Sequence, residues 1–524
     1  MSFRPTLYQL SRQLGFAVAA GLLAATPAGA QTVTAPAGDI HGTSSGELHV
    51  YQGIPYAEAP VGDLRWGPPQ PKAPFTEPFE ATGSGNECVQ FATFWRPDRP
   101  ASWTEDCLSL TVYVPADRGD SLPVFVGFHG GGSVNGSKTD WDPRELAQAG
   151  SVVVTANYRL GAMGYLALES LNAESKDGLS SGNYGDLDKV QVLRWVKENI
   201  SAFRGNPDCV TIAGQSAGAR GVCFLLASPE AAGLFHGAVM ESGRECPSTS
   251  NADQVEAGSK FVESIGCADA ENTLACLRSK SPAEVLNAQA DSGLGFPTTH
   301  GGYALPKPPL EAFRSGEFNR VPVIIGNTRN ETRVFIYEGN DLQKQPVTRA
   351  KYESTVRERM GDKAEVVLAA YKEAEETAPG MALGDFDTDQ RYICGTHKAI
   401  DALGKWTPTY AYEFADETAP IRSYASVPSS FDLGVPHSAE LPYLWGEDTV
   451  PNGLTTEQRK LAELMRASWI GLTNPQGMAV SGQAVWPVYT PDSRQRIVFS
   501  AGGETSIVPE DQYLADHNCD LFVR

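Results

Sequence analysis

A serine hydroxyl attacks a carbonyl only where the backbone exposes it and a base can take its proton. Gly214-Gln215-Ser216-Ala217-Gly218 offers such a setting. This G-x-S-x-G follows the apolar run Cys209 to Ala213, which reads as a strand, and precedes Ala217 to Ala227, which reads as a helix. Strand, sharp turn and helix mark Ser216 as a nucleophile: small flanking residues let neighbouring backbone pass close, and the helix N-terminus favours negative charge. Phe128-His129-Gly130-Gly131-Gly132 follows another apolar run, and its glycines leave amide N–H groups uncovered. Gly131 and Gly132 are expected to form an oxyanion hole together with the amide of Ala217. The glycines are not followed by the Lys-Ser/Thr of a phosphate loop, so nucleotide binding is unsupported.

The nucleophile needs a base and an acid that orients it, in the chain order Ser, Asp/Glu, His after such an elbow. Of eight histidines, His41, His49, His129 and His236 precede that order or the strand ends it requires. His300, His397, His437 and His517 remain. His437 lies in the segment from Gly434 to Gly446, a polar loop entering an apolar stretch.

The elements that must carry these residues are visible as short apolar runs. Leu122 to Phe128, Ser151 to Ala156, Cys209 to Ala213, His236 to Met240 and Val321 to Ile325 end in Gly, Ser or Asn and read as buried strands. Helical patterns run from Asp188 to Phe203, Ala217 to Ala227 and Thr456 to Leu472. The alternation predicts an α/β fold, a central and mostly parallel sheet flanked by helices, with ligand chemistry at the strand carboxyl ends.

Composition narrows the function further. With 42 basic against 63 acidic residues the formal charge is −21, and no Lys/Arg cluster could track a phosphate backbone, which argues against nucleic acid. Met1 to Ala30 carries Arg4 and Arg12, an apolar run from Leu14 to Ala25, and Ala28-Gly29-Ala30. That pattern is a secretory signal peptide, so the mature chain is expected to begin near Gln31 and to be secreted or periplasmic. The run has 12 residues where a membrane span needs about 20, and no membrane anchor is expected. The nine cysteines leave at least one thiol unpaired, and their spacing shows neither CxxC nor a histidine-paired pattern, so no metal site is expected.

Beyond the elbow, ordered motifs run along the chain: Tyr51 to Ala57 (YQGIPYA), Leu64-Arg65-Trp66, Glu105-Asp106-Cys107-Leu108, Asn157-Tyr158-Arg159, Gly182 to Gly185 (GNYG) and Asn206-Pro207-Asp208. In these the chain, from about Val33 to its C-terminus, resembles the type B carboxylesterase/lipase family. That is the cholinesterase-like branch of the α/β-hydrolases, with bacterial para-nitrobenzyl-esterase-like members. The resemblance implies an α/β-hydrolase fold with large insertions around an active-site gorge. It places the acid at Glu331, in Gly326 to Thr332, and the base at His437, in the G-x-x-H-x-x-E of Gly434 to Glu440. It implies disulfides Cys88–Cys107, Cys267–Cys276 and Cys394–Cys519, leaving Cys209, Cys223 and Cys246 over, with Cys209 and Cys223 expected as buried hydrophobes. It also implies a buried Arg65–Glu105 pair. By size alone 524 residues allow two to four domains of up to about 250–300 residues. Residues from Gly130 to His437 must meet at one site, however, so residues 31–524 are expected to form a single unit.

The implied activity is serine carboxylesterase chemistry through Ser216, Glu331 and His437 on a small-molecule ester, with no metal or organic cofactor. A glyceride lipase and an inactive cholinesterase-like adhesion protein are the alternatives. Several positions depart from the usual family pattern: Gln215 stands where Glu is usual, Glu241 where Gln is frequent, and Arg220, about one helical turn past Ser216, where a small residue is usual. Arg220 is expected either to face the acyl pocket and favour carboxylate-bearing esters or, preferably, to form a buried pair with Glu241. Ser133 replaces a frequent aromatic and implies a roomier acyl side that tolerates bulky acids, while the bacterial members of the family imply a role in catabolism or detoxification of xenobiotic or toxin esters. Phe91, Phe94, Trp95 and Trp103, in the Cys88–Cys107 loop, are candidates to meet the leaving alcohol.

Overall fold

Short β-branched and aromatic runs, hydrophobic on both faces, need cover on both sides. The computed structural model describes residues 30–522 apart from 94, 97, 422–426, 447–449, 451 and 474–484. In chain order the strands are β1 (Ala30–Ala35), β2 (Gly38–Ser45), β3 (Leu48–Pro55), β4 (Phe79–Glu80), β5 (Ser109–Pro115), β6 (Leu122–Phe128), β7 (Val152–Ala156), β8 (Gly205–Gln215), β9 (Gly237–Glu241), β10 (Thr249–Ser250), β11 (Thr299–His300), β12 (Val323–Thr328), β13 (Thr409–Ala415), β14 (Gln495–Ser500) and β15 (Glu504–Pro509). Thirteen of them form one sheet in the order β1-β2-β3-β5-β7-β6-β8-β9-β12-β13-β14-β15, with β4 beside β2. Strands β7, β6, β8, β9, β12, β13 and β14 run parallel, and the sheet turns antiparallel towards both edges.

The two faces carry separate cores. Over one lie the helices Tyr184–Asn199 and Ala217–Ala227. Against the other pack Leu441–Trp445 and Thr456–Ile470, bringing Trp445 and Trp469. Along β9, Ala238 and Met240 face the first core and Val239 the second, the alternation a strand requires.

The expected strands all appear, four of the five with shifted starts; β7 and β9 each begin one residue later, at Val152 and Gly237. β8 begins four residues before the apolar run, at Gly205. β12 starts at Val323 rather than Val321, because Pro322 lies between them and cannot donate to the ladder. The helix predicted from Asp188 starts four residues earlier, at Tyr184. Its first turn was obscured by Asp186, Asp188 and Lys189, which are buried but paired: Lys189 Nζ donates to Asp186 at 2.8 Å, and Arg159 holds Asp188 through Nε (2.9 Å) and Nη2 (2.7 Å).

Arg65 and Glu105 form a buried pair, with Nε to Oε1 at 2.7 Å, and Arg65 Nη1 also donates to the Lys280 carbonyl at 2.6 Å. That ties the Cys88–Cys107 loop to the segment just past the Cys267–Cys276 disulfide. A third disulfide joins Cys394 to Cys519. The remaining cysteines correct an expectation. Cys223 and Cys246 are not left over but bonded to each other, because the helix Ala217–Ala227 packs on the strand-end segment after β9 and brings their Cα atoms to 5.6 Å. Cys209, half-buried, is the free one among the described residues. Thiol titration of the unfolded, unreduced chain is therefore expected to give one thiol; three would refute the Cys223–Cys246 bond.

Candidate active site

β8 ends at Gln215, and the next residue turns sharply: Ser216 has φ 58° and ψ −117° before the helix Ala217–Ala227 begins. Such a conformation costs a non-glycine residue on the order of 1–3 kcal/mol, and close backbone crossings hold it. A Cβ on Gly218 would lie 2.0 Å from the Phe128 carbonyl oxygen, and one on Gly214 would lie 2.3 Å from the Gly218 backbone. Only glycine fits either place. The Ser216 amide donates to the Glu241 carbonyl at 2.8 Å, fixing the turn to the end of β9.

The glycine loop after β6 approaches from the other side. Gly131 and Gly132 have φ 94° and 66°, and among the described residues the amides of Gly131, Gly132 and Ala217 have no hydrogen-bond acceptor. Buried His129 shapes this loop. Its Nδ1 contacts the Gly130 carbonyl at 2.9 Å, and its ring stacks on Tyr158 with centroids 4.4 Å apart. Burial drives its pKa down to about 3, so it stays neutral.

Glu331 follows β12 by three residues and is fully buried. Its Oε1 accepts from the Thr328 amide and from Asn327 Nδ2, both at 3.0 Å, while Oε2 meets His437 Nδ1 at 2.5 Å. The two loops are also joined through backbone: the His437 amide donates to the Glu331 carbonyl at 3.1 Å, and the Asn330 amide to Val435 at 2.9 Å. Gly434, at φ 59°, passes where a Cβ would meet Asn330 Oδ1 at 2.3 Å. At the opposite edge of the imidazole, His437 Nε2 faces Gln215 Nε2 at 3.0 Å, and the same amide donates to Ser438 Oγ at 3.1 Å. Phe335 and Tyr392 rings lie 4.9 and 5.5 Å from the imidazole.

Ser216, His437, Gly131 and Gly132 open into one cavity of about 500 Å³, a size suited to a small-molecule ligand. Trp95, Trp141, Phe335, Glu338, Tyr392 and Leu441 contribute to its walls. Of the loop aromatics proposed from sequence, Trp95 reaches it. Phe91 and Trp103 instead pack edge to face, 6.1 Å apart, on the exterior, and Phe94 lies outside the described residues. Ser133 does not line the cavity either. Its carbonyl accepts from the Gly161 amide at 2.7 Å, and its side chain bonds towards Tyr165.

The Arg220–Glu241 pair does not form. Glu241 lies beside Gln215 in the β8–β9 register, on the face of Val239. Its carboxylate accepts from Trp469 Nε1 at 2.8 Å and Trp445 Nε1 at 3.4 Å, whereas Arg220 stands on the helix over the other face and lines the cavity. Sequence reading also missed Arg244, Arg391 and Tyr392. The first is placed by a non-glycine positive φ of 63° after β9, the others by a five-residue π turn, Asp389–Ile393. Neither feature has a pattern signal.

These elements define an α/β protein with a strand–serine–helix elbow beside a buried carboxylate–histidine pair. The carboxylesterase family model matches residues 29–521. Para-nitrobenzyl esterase of Bacillus subtilis (strain 168) is 31% identical over 504 residues, spanning 90% of this chain and 95% of its own. Fumonisin B1 esterase of Sphingopyxis macrogoltabida is 31% identical over 444 residues, 81% of this chain and 78% of its own. A solved thermophilic para-nitrobenzyl esterase superposes with a TM-score of 0.78 at 27% identity, covering 93% of this chain and 99% of that one. The chain belongs to the type B carboxylesterase family, a family of serine hydrolases, and is a carboxylesterase.

Burial without a cationic partner pushes the Glu241 carboxyl up to about 7, against the opposing pull of the Trp469 and Trp445 N–H groups. The folded chain therefore keeps a proton that the unfolded chain releases above about pH 4.5, and stability falls as pH rises towards 7. Glu241→Gln removes that loss. It is expected to add about 3 kcal/mol at pH 8 and almost nothing near pH 4, read as shifts in thermal midpoint. An equal shift at both pH values would contradict this cause.

Proposed function

We propose that this carboxylesterase works through Ser216, His437 and Glu331, with Gly131, Gly132 and Ala217 as the oxyanion hole. The reading rests on one observation above the rest: buried Glu331 grips His437 Nδ1 at 2.5 Å, which turns Nε2 into the cavity that Ser216 enters. With Nδ1 protonated towards Glu331, Nε2 is a lone-pair acceptor. In the free enzyme the Gln215 amide occupies it, and Ser216 Oγ takes over that contact in the reactive complex while Gln215 keeps Ser438 Oγ. His437 accepts the Ser216 proton as Oγ bonds to the ester carbonyl, and the carbonyl oxygen becomes an oxyanion facing the three free amides. His437 then returns the proton to the alcohol oxygen as the C–O bond breaks. Water, deprotonated by the same imidazole, then attacks the acyl carbonyl, and His437 returns the proton to Ser216 Oγ as the acyl C–Oγ bond breaks and the carboxylic acid leaves.

The cavity of about 500 Å³ suits a bulky ester, and relatives named for para-nitrobenzyl esters and fumonisin B1 support xenobiotic or toxin esters as substrates. The signal-like N-terminal segment and the four disulfides support export to an oxidising compartment. N-terminal sequencing of the exported protein is expected to start near Gln31.

Ser216→Ala is expected to lower kcat on a para-nitrophenyl ester by at least about 10⁴-fold. Glu331→Gln, which keeps shape but not charge, is expected to lower it by on the order of 10³-fold or more. Activity of either variant within tenfold of the parent would remove that residue from the mechanism.

A further inference from the structure

Three guanidinium groups line the cavity that holds Ser216, in a chain whose formal charge is −21. Arg220 stands one turn beyond the nucleophile on the same helix, Arg244 follows β9, and Arg391 sits in the π turn. Three segments distant in sequence therefore converge on one patch. Its centre is Tyr392, whose hydroxyl is driven up by burial and by Glu331 and held back by Arg244, Arg220 and Arg391. The Arg244 guanidinium lies over the Tyr392 ring at 5.9 Å, and its Nε donates to the Arg391 carbonyl at 3.2 Å.

Acids pair with two of the three arginines and leave Arg220 uncompensated. Arg391 has Asp387 at 2.9 Å, and Arg244 has Glu245 at 3.6 Å. Asp140, also at the cavity, is engaged by Arg96 at 3.1 Å and Arg99 at 3.3 Å. Burial alone raises Glu338 to about 7, so near neutrality it carries only part of a charge. Among the described residues the Arg220 side chain has no hydrogen-bond or ion-pair partner. A half-buried arginine lacking an anion forgoes the bidentate contact its geometry favours, and the free space in front of Arg220 is the substrate cavity.

We infer that Arg220, with Arg244 and Arg391, forms an anion subsite that selects esters whose acyl group carries a further carboxylate, that is, monoesters of di- or polycarboxylic acids. The inference rests on Ser216 being the nucleophile and adds the substrate class. Arg220 is the anchor because it is uncompensated and shares a helix with the amide of Ala217. Arg244 and Arg391, each beside an acid, continue the wall towards the rim, where Arg391 is 43% exposed.

Two para-nitrophenyl esters of matched length, the valerate and the monoglutarate, separate charge from size, and 4-carboxyphenyl valerate puts the charge on the alcohol instead. The parent is expected to prefer the monoglutarate over the valerate at least about tenfold in kcat/KM, the scale of one charge-assisted hydrogen bond. Added salt is expected to erode that preference. Arg220→Gln is expected to lower the monoglutarate-to-valerate ratio at least tenfold, with Arg220→Lys falling between. Competitive inhibition of valerate hydrolysis by free glutarate in the parent gives a second reading that needs no variant. A ratio that Arg220→Gln leaves within twofold, or a preference that follows the carboxylate onto the alcohol, overturns the subsite. A parent that cleaves the valerate without preferring the monoglutarate overturns it while leaving the esterase mechanism standing. A parent inert on all three esters refutes the nucleophile assignment itself.

Discussion

Everything at this site hangs on a crossing of three backbone segments with no room for a side chain. β8 ends, Ser216 turns, and the following helix departs so steeply that Gly218 grazes the Phe128 carbonyl and Gly214 grazes Gly218. Because β6 supplies that carbonyl and then runs directly into the glycine loop, the crossing also sets where the uncovered amides of Gly131, Gly132 and Ala217 lie relative to the hydroxyl. The Ser216 amide bond to Glu241 brings β9 into the same knot. A strained serine is thus stabilised by the parallel order β6-β8-β9 in the middle of the sheet, where strands are covered on both faces and least free to shift.

The carboxylate–histidine pair is held by a different device. Glu331 and His437 sit on loops 106 residues apart, joined by backbone hydrogen bonds in both directions as well as by the carboxylate–imidazole contact. The polar partners of Glu331, Thr328 and Asn327, come from the end of its own strand, so it is oriented before His437 arrives. Two further buried carboxylates lie behind this pair. Glu241 rests on indole N–H groups, and Glu440, whose oxygens have no partner among the described residues, is pushed well above the usual carboxyl range by burial and by Glu241 and Glu331.

Much of this was legible in the residues, and the boundary is physical. β6 and the helix Ala217–Ala227 fall on their predicted limits because continuous apolar runs, bounded by glycine and serine, have one reading. β13 and β14 were not picked out, although the alternation in Tyr410 to Phe414 and the run Arg496 to Phe499 were available signals. The elbow and glycine loop are local in sequence and could be read directly. Glu331 and His437 needed a resemblance, since a lone loop carboxylate and a lone histidine carry no local pattern. The pairing of Arg220 with Glu241 failed for a geometric reason: strand parity fixes the side on which Glu241 emerges, but not which sheet face the helix covers. Cys223–Cys246, Arg244 and Arg391 depend on positive-φ turns and a π turn that no periodicity announces.

The Cys223–Cys246 bond has a bearing on binding as well as on folding. Cys223 lies three residues beyond Arg220, and Cys246 two beyond Arg244, so a covalent clip joins the two segments that hold two of the cavity arginines. The segments are fixed relative to each other before any ligand arrives, and the conformational entropy of bringing two like charges together is lost during folding rather than during association. The cavity is in that sense preorganised: its positive field stands ready, and a ligand entering it has little of the protein left to order.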